Sequence, residues 1–260
     1  MLDSSTSRKL SEMKLHEIVD IVERQERISE SFSMSFDERL GRIVDELYLL
    51  KQENRIKGLV KRARFRWPNA DLSSVLFLPE RKLDRNAIMN LAQCTFMQAA
   101  LPVAIYGSAS SGKSYIACAI GKAACRQGYK VKYMRVQDMF SHLAELDRKD
   151  SVMRFARRLA NYDLLILDEW LSTIPSETEI NFLFELAEKR SEIHSTVICG
   201  VYEPESWCER MGSSAQSESI VERLIHTPIN IDCGDFNMRD YLAKQSSNKW
   251  QTLAPAGGAI

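Results

Sequence analysis

The stretch that most restricts the fold is Gly107–Ser108–Ala109–Ser110–Ser111–Gly112–Lys113–Ser114, a G-x-x-x-x-G-K-[ST] loop set between two periodicities. Before it, "LPVAIYG" is an apolar run of strand length; after it, "SYIACAIGKAACRQG" reads as a helix. A buried strand that turns through two glycines into a helix N-terminus belongs to α/β architecture, because such a turn aims consecutive backbone N–H groups into one hollow. The alternation continues: "YKVKYMRV", "YDLLILDE", "STVICG" and "PINIDCG" read as further strands, and "ETEINFLFELAEKR", capped by Ser176 and Glu179, and "SESIVERLIH" as helices between them. The expectation is a parallel five-stranded sheet flanked by helices.

Upstream the pattern is helical. Ser11 precedes Leu15, Ile18, Val19 and Val22, and Ser35 with Glu38 forms a capping box ahead of Phe36, Leu40, Ile43, Val44, Leu47 and Leu50. A further helix starts near Asp84. Pro68 breaks the pattern, so the predicted organisation is a small all-helical N-terminal region at 1–68, the α/β domain at 69–240 and a disordered tail at 241–260. The 27 residues after Cys233 are too few for a C-terminal helical lid.

The 35 Lys and Arg residues balance 35 Asp and Glu, so no overall field draws polyanions, and any nucleic-acid contact must come from local clusters. Two clusters stand out. Arg55, Lys57, Lys61, Arg62, Arg64 and Arg66 occupy 55–66 without an acidic neighbour, while Lys149, Arg154, Arg157 and Arg158 are diluted by Glu145, Asp147 and Asp150. Both are candidates for duplex backbone contact with little base preference; Phe65 and Trp67 are expected to pack on the α/β domain. The six cysteines contain no C-x-x-C pair and read as reduced thiols, and the four scattered histidines suggest no zinc site. With no apolar run near the ~20 residues of a membrane span and no signal-peptide pattern, the expected compartment is the cytoplasm.

The loop chemistry follows from its residue types. Gly107 and Gly112 permit the turn, the N–H groups of Ser108, Ala109, Ser110 and Ser111 face phosphate oxygens, and Tyr115 follows at the start of the helix. Lys113 reaches the β- and γ-phosphates, and the Ser114 hydroxyl serves Mg²⁺. "LLILDEW" at 164–170 delivers two carboxylates to a strand end: Asp168 completes the metal shell, and Glu169 orients the attacking water. By spacing alone, Arg223 in "ESIVERLIH" is a solvated residue opposite Ile220, Val221, Leu224 and Ile225.

With the phosphate loop, "LLILDEW" and "IVERL" in this order, the chain resembles the IstB-type transposition helper ATPases, relatives of the DnaC-type helicase loaders within the AAA+ superfamily. "SFDERLGRIVDELYLLKQENRIKGLVKRARFR" and "STVICGVYEPESW" carry the likeness beyond generic motifs, from about residue 10 to 240. The resemblance implies an ATPase using ATP and Mg²⁺, with Lys113 and Glu169 catalytic. It implies head-to-tail homo-oligomers in which Arg223 enters the neighbour's site as a catalytic finger. It further implies binding of target double-stranded DNA and recruitment of a transposase; a helicase loader acting on single-stranded DNA, or an ATP-bound scaffold with negligible turnover, are the alternatives. Two departures stand out. Cys199, Gly200 and Val201 replace the polar sensor that often ends the fourth strand, leaving Tyr202 as a substitute and slow turnover as the consequence. Ser110 replaces a common loop glycine, a change expected to be tolerated. Arg239 is a further candidate for nucleotide contact.

Overall fold

The computed structural model describes residues 2–28, 33–146 and 148–253, with side chains described up to 246. Two compact units divide at Gly58 and Leu59. The first contains α1 (Ser4–Glu12), α2 (His16–Glu26) and most of α3 (Phe36–Ala63), which crosses the division. Ser11 does not start a helix as its position suggested: it lies within α1, where its hydroxyl donates to the Ser7 carbonyl. The Ser35–Glu38 box is formed, with the Ser35 N–H donating to Glu38 at 2.8 Å. Ile21 and Val22 of α2 are buried, and Lys51 of α3 pairs with Glu17 at 2.7 Å. The apolar residues of α3 fall into two rows: Ile43, Leu47 and Leu50 are half-buried, whereas Phe36, Leu40, Val44 and Tyr48, four residues apart, are exposed.

The second unit begins ten residues earlier than the breaker Pro68 suggested, because Leu59, Ala63 and Phe65 belong to its core. After a 3₁₀ turn at Leu72–Ser74 come α4 (Arg85–Ala92) and α5 (Thr95–Gln98), then β1 (Val103–Tyr106) and α6 (Lys113–Arg126). β2 (Val131–Arg135), α7 (Val136–Ala144), α8 (Lys149–Ala160), β3 (Leu164–Trp170), α9 (Glu177–Arg190) and β4 (Ser195–Gly200) follow. The unit ends with α10 (Trp207–Arg210), α11 (Ala215–Ile225), β5 (Ile229–Asp232) and α12 (Met238–Leu253). The tail expected to be disordered from 241 is thus helical as far as Leu253; residues 254–260 lie outside the described residues.

All five strands are parallel, in the order β2-β3-β4-β1-β5. Helices on both faces explain why β3 is an unbroken apolar run. Leu164 and Ile166 face a core with α6, Leu59, Phe65, Ile88 and Leu91, while Leu165 and Leu167 face one with Phe155, Phe182, Leu186, Trp207 and Leu224. Gly121 of α6 has no room for a side chain, since a Cβ there would stand 2.6 Å from the Phe65 ring. β1 lies between β4 and β5, so the C-terminal ends of β1, β3 and β4 open on one crevice, where open α/β sheets bind ligands. Among the described residues no helix is long and apolar enough to cross a membrane.

Candidate functional site

The phosphate loop runs from the end of β1 to the first turn of α6, and it is held from behind. Ser108 N–H donates to the Gly234 carbonyl at 2.9 Å, and Met238 N–H donates to that of Ser110 at 2.9 Å. Gly107, at φ +134°, could not carry a Cβ, which would meet the Gly234 oxygen at 2.7 Å. Gly112 adopts φ +98°. Lys113 Nζ donates to the carbonyls of Gly107 and Ser108 at 2.8 and 2.7 Å, and desolvation holds its pKa below the usual lysine value.

A cavity of about 680 Å³ opens above the loop. Ala109, Ser110, Gly112, Lys113, Ser114 and Tyr115 line it, whereas Gly107, Ser108 and Ser111 lie outside its lining. Asp168, Glu169 and Trp170 enter from β3, Cys199, Gly200 and Val201 from the end of β4, and Met238, Arg239 and Leu242 from α12. Trp67, Ser74, Val75, Leu76 and Tyr115 supply a largely apolar flank of the kind that takes a planar ring. Trp67, expected to pack on the domain, is half exposed on this cavity; Phe65 packs as expected. Tyr202 is absent from the lining and lies beneath the Arg210 guanidinium, 3.5 Å from its carbon.

The two carboxylates differ in environment. Asp168 is buried, accepting the Tyr133 hydroxyl at 2.6 Å and the Glu169 N–H at 2.9 Å. Burial and the Asp168 charge push the Tyr133 phenol well above the ordinary tyrosine range, so it stays a donor. Glu169 sits at φ +60°, where the β3–β4 register breaks between Leu167 and Trp170, and this irregularity turns its side chain out of the strand. Its Oε1 is 3.0 Å from Arg66 Nη1. Arg66, placed by sequence among the DNA-contacting cations, therefore engages the candidate catalytic glutamate, because Phe65 anchors the preceding position in the core.

Asp168 and the Ser114 hydroxyl suit Mg²⁺ in donor type. No group of three or more His, Cys, Asp or Glu side chains able to hold a metal occurs among the described residues. A two-oxygen protein contribution fits a cation that shares its shell with water and phosphate.

The other cations lie elsewhere. Arg55, Lys57, Lys61, Arg62 and Arg64 are exposed on α3 and just beyond it, and Lys149, Arg154, Arg157 and Arg158 are exposed on α8. Arg223 does not line the cavity: on α11 it pairs with Glu188 at 2.6 Å and lies 5.4 Å from the Phe184 ring centre. It is therefore more enclosed than the solvated position read from spacing, although Ile220, Leu224 and Ile225 are buried as predicted.

Sequence reasoning missed Arg81, Tyr133, Met238 and Leu242. Tyr133 shares a strand face with Val131 and could have been read as facing the Asp168 side, but "LPERKLD" gives no sign that Arg81 turns inward.

The family described as IstB-like ATP binding protein matches residues 8–247. A Sinorhizobium fredii relative, y4pL, named as an insertion sequence ATP-binding protein, is 30% identical over 92% of this chain and 97% of its own. A Pseudomonas fluorescens relative, whose name ties it to insertion sequence IS1162 and to ATP binding, is 30% identical over 76% of this chain and 86% of its own. Among solved structures, a DNA replication initiation factor superposes with TM-score 0.57 at 19% identity, covering 72% of this chain; the chain spans only 56% of that protein. The DnaC helicase loader superposes with TM-score 0.53 at 18% identity, over 64% of this chain and 98% of its own. These structural likenesses show a fold shared with those proteins, and the match across nearly the whole sequence places the chain in the family of IstB-like ATP binding proteins.

Proposed function

We propose that this protein is an ATP-hydrolysing regulator of transposition that oligomerises head to tail on duplex DNA, recruits or activates a transposase, and uses hydrolysis to time release. The observation that carries the reading is the convergence of Lys113, Ser114, Asp168 and Glu169 on one cavity. Lys113 leaves the Gly107 and Ser108 carbonyls to meet the β- and γ-phosphates. Ser114 and Asp168 would hold Mg²⁺, which would supply charge neutralisation to the phosphates; the terminal phosphoryl group transfers to water, leaving ADP and inorganic phosphate. Glu169 orients that water once its carboxylate is free of Arg66.

Arg223, outside its own subunit's cavity, leaves its pair with Glu188 to enter a neighbour's, an arrangement that makes the interface heterologous. The insertion-sequence names of the relatives support the transposition assignment. The exposed row Phe36, Leu40, Val44 and Tyr48 gives the N-terminal unit an apolar surface for the transposase. The exposed cations of α3 and α8 are the surfaces offered to DNA, and the protein acts in the cytoplasm.

Phosphate release on duplex DNA tests the reading. Lys113→Ala is expected to lose ATP binding. Glu169→Gln is expected to keep binding and lose turnover, while Arg223→Ala keeps binding and loses assembly or turnover. Mixing the Lys113 and Arg223 variants should restore part of the activity, because a mixed interface contains one intact site. Absence of rescue would remove the shared-site reading, and turnover unaffected by Glu169→Gln would favour a static scaffold. Preference for single-stranded over duplex DNA would favour the helicase-loader alternative.

A further inference from the structure

Arg81 is a buried cation with unfilled bonding capacity. It lies in the segment between the 3₁₀ turn and α4 and is 6% exposed. Its Nη1 donates to the Leu76 carbonyl at 2.6 Å and its Nη2 to the Ser111 carbonyl, inside the phosphate loop, at 2.8 Å. Its Nε–H has no partner. Among the described residues no carboxylate forms an ion pair with it, and desolvation by burial holds its pKa below the usual arginine value. The guanidinium borders the nucleotide cavity: a Cβ built on Gly112 would stand 3.1 Å from Nη2.

A buried charge without a counter-charge is costly, and proteins seldom retain one without a use. Arg190 shows how this chain handles a purely structural guanidinium. Also fully buried and without a direct ion pair, though Asp163 acts on it at longer range, it spreads its donors over Thr196 and the carbonyls of Leu159, Ala160, Tyr162 and Ser195, leaving none of its nitrogens unpartnered. Arg81 is not saturated in this way. Lys113, its neighbour across the loop, also bonds only to carbonyls. The loop is thus flanked by two cations that form no ion pair among the described residues, Asp168 acting on Lys113 only at longer range, and the cavity they share is where an anion enters.

We propose that Arg81 is a second fixed cation of the phosphate site, a positioning residue whose counter-charge is the nucleotide's polyphosphate and which holds the loop at Ser111 in the form that receives it. This rests on the nucleotide-binding reading of the cavity and assigns it a residue outside the G-x-x-x-x-G-K-S motif. The charge acts on phosphate, so it discriminates nucleoside polyphosphates from nucleosides. The base and sugar, against Trp67, Val75 and Tyr115, are indifferent to it.

The test is calorimetric titration of the full chain with ATP, ADP and adenosine, for the wild type, Arg81→Met, Arg81→Lys and Lys113→Ala. Loss of a charge-assisted contact predicts that Arg81→Met binds ATP and ADP about ten- to hundredfold more weakly with adenosine affinity unchanged. Arg81→Lys, which keeps the charge and loses the fork, should bind ATP within about threefold of wild type. A folded Arg81→Met binding ATP as tightly as wild type overturns the proposal. So does an Arg81→Lys protein that loses ATP and adenosine together, since the role is then only to bridge two carbonyls. If Arg81→Met does not fold, Arg81→Lys still decides, because ATP affinity lost beside intact adenosine binding also contradicts a role for the charge. Wild type that fails to bind ATP, or Lys113→Ala that binds it undiminished, would sink the nucleotide reading itself.

Discussion

Ser110 occupies the left-handed region at φ +63°, where a Cβ crowds the following carbonyl and glycine does not. Two effects oppose each other in Ser110→Gly. Relief of the left-handed strain is worth about 1–2 kcal/mol, and the extra freedom of glycine in the unfolded chain costs about 0.4–1 kcal/mol. Relief wins by roughly 0.5 kcal/mol, so thermal unfolding of Ser110→Gly should rise by about 1–2 °C; a fall would mean that the serine side chain contributes something the backbone does not reveal. Arg66 argues similarly from magnitude. Its pair with Glu169 has side chains 42% and 32% exposed, so it is a weak latch, worth about 0.2–1 kcal/mol. Arg66→Gln should therefore raise steady-state turnover by no more than about fivefold at low salt. The advantage should shrink at high salt, where the wild-type pair is already screened. A variant slower than wild type would show instead that Arg66 assists the chemistry.

The turn between α3 and α4 reveals what an element contributes that its sequence does not announce. Asp71 caps the 3₁₀ turn at Leu72–Ser74, accepting from the Ser73 N–H and hydroxyl, and pairs with Arg126 of α6 at 2.6 Å. These bonds, that from the Ser73 hydroxyl foremost, lower its carboxyl to about 2. The folded value lies below the unfolded one, so the stabilisation is complete above about pH 4 and is lost as pH falls toward about 2. Asp71→Asn should lower the melting temperature at pH 7 and converge on the wild type near pH 2; a gap unchanged across that range would exclude the carboxylate as its source. The turn also carries Ser74, Val75 and Leu76 to the cavity wall. Periodicity exposed the five strands, α6, α9, α11 and the loop with Asp168 and Glu169, because burial on both faces and a glycine-bracketed turn leave local marks, but not α7 or α8. It could not expose Arg66, Arg81 or α12. Arg66 and Arg81 turn inward through tertiary packing, around Phe65 and under the loop, and the polar run of α12 has too little apolar patterning to show as a helix. The unit division was misplaced for a related reason: Pro68 marks a local break, whereas Leu59 and Phe65 are claimed by α6 at long range.

For the whole molecule, zero formal charge makes the proposed DNA affinity depend on where exposed cations are free. The α3 cluster is the freer. Arg55, Lys61 and Arg62 form no ion pair among the described residues, and of their cluster only Lys57 is tied within α3, to Glu53 at 3.4 Å. On α8, Arg154 bonds to the Ser151 hydroxyl, Arg158 lies 5.3 Å from the Phe155 ring centre, and Asp150 dilutes the field. Each duplex phosphate neutralised adds about 0.9 to the slope of log affinity against log salt. Replacing Arg55, Lys61 and Arg62 by Gln should therefore lower that slope by about 2–3, while replacing Arg154, Arg157 and Arg158 should lower it by less than about 1. Because the proposed contacts would reach backbone, the loss should be uniform across target sequences. Fluorescence anisotropy with two unrelated duplexes, at salt from about 50 to 200 mM, separates the outcomes. A larger loss from the α8 variant would transfer the DNA surface to α8, and a slope unmoved by either would take both helices off the duplex.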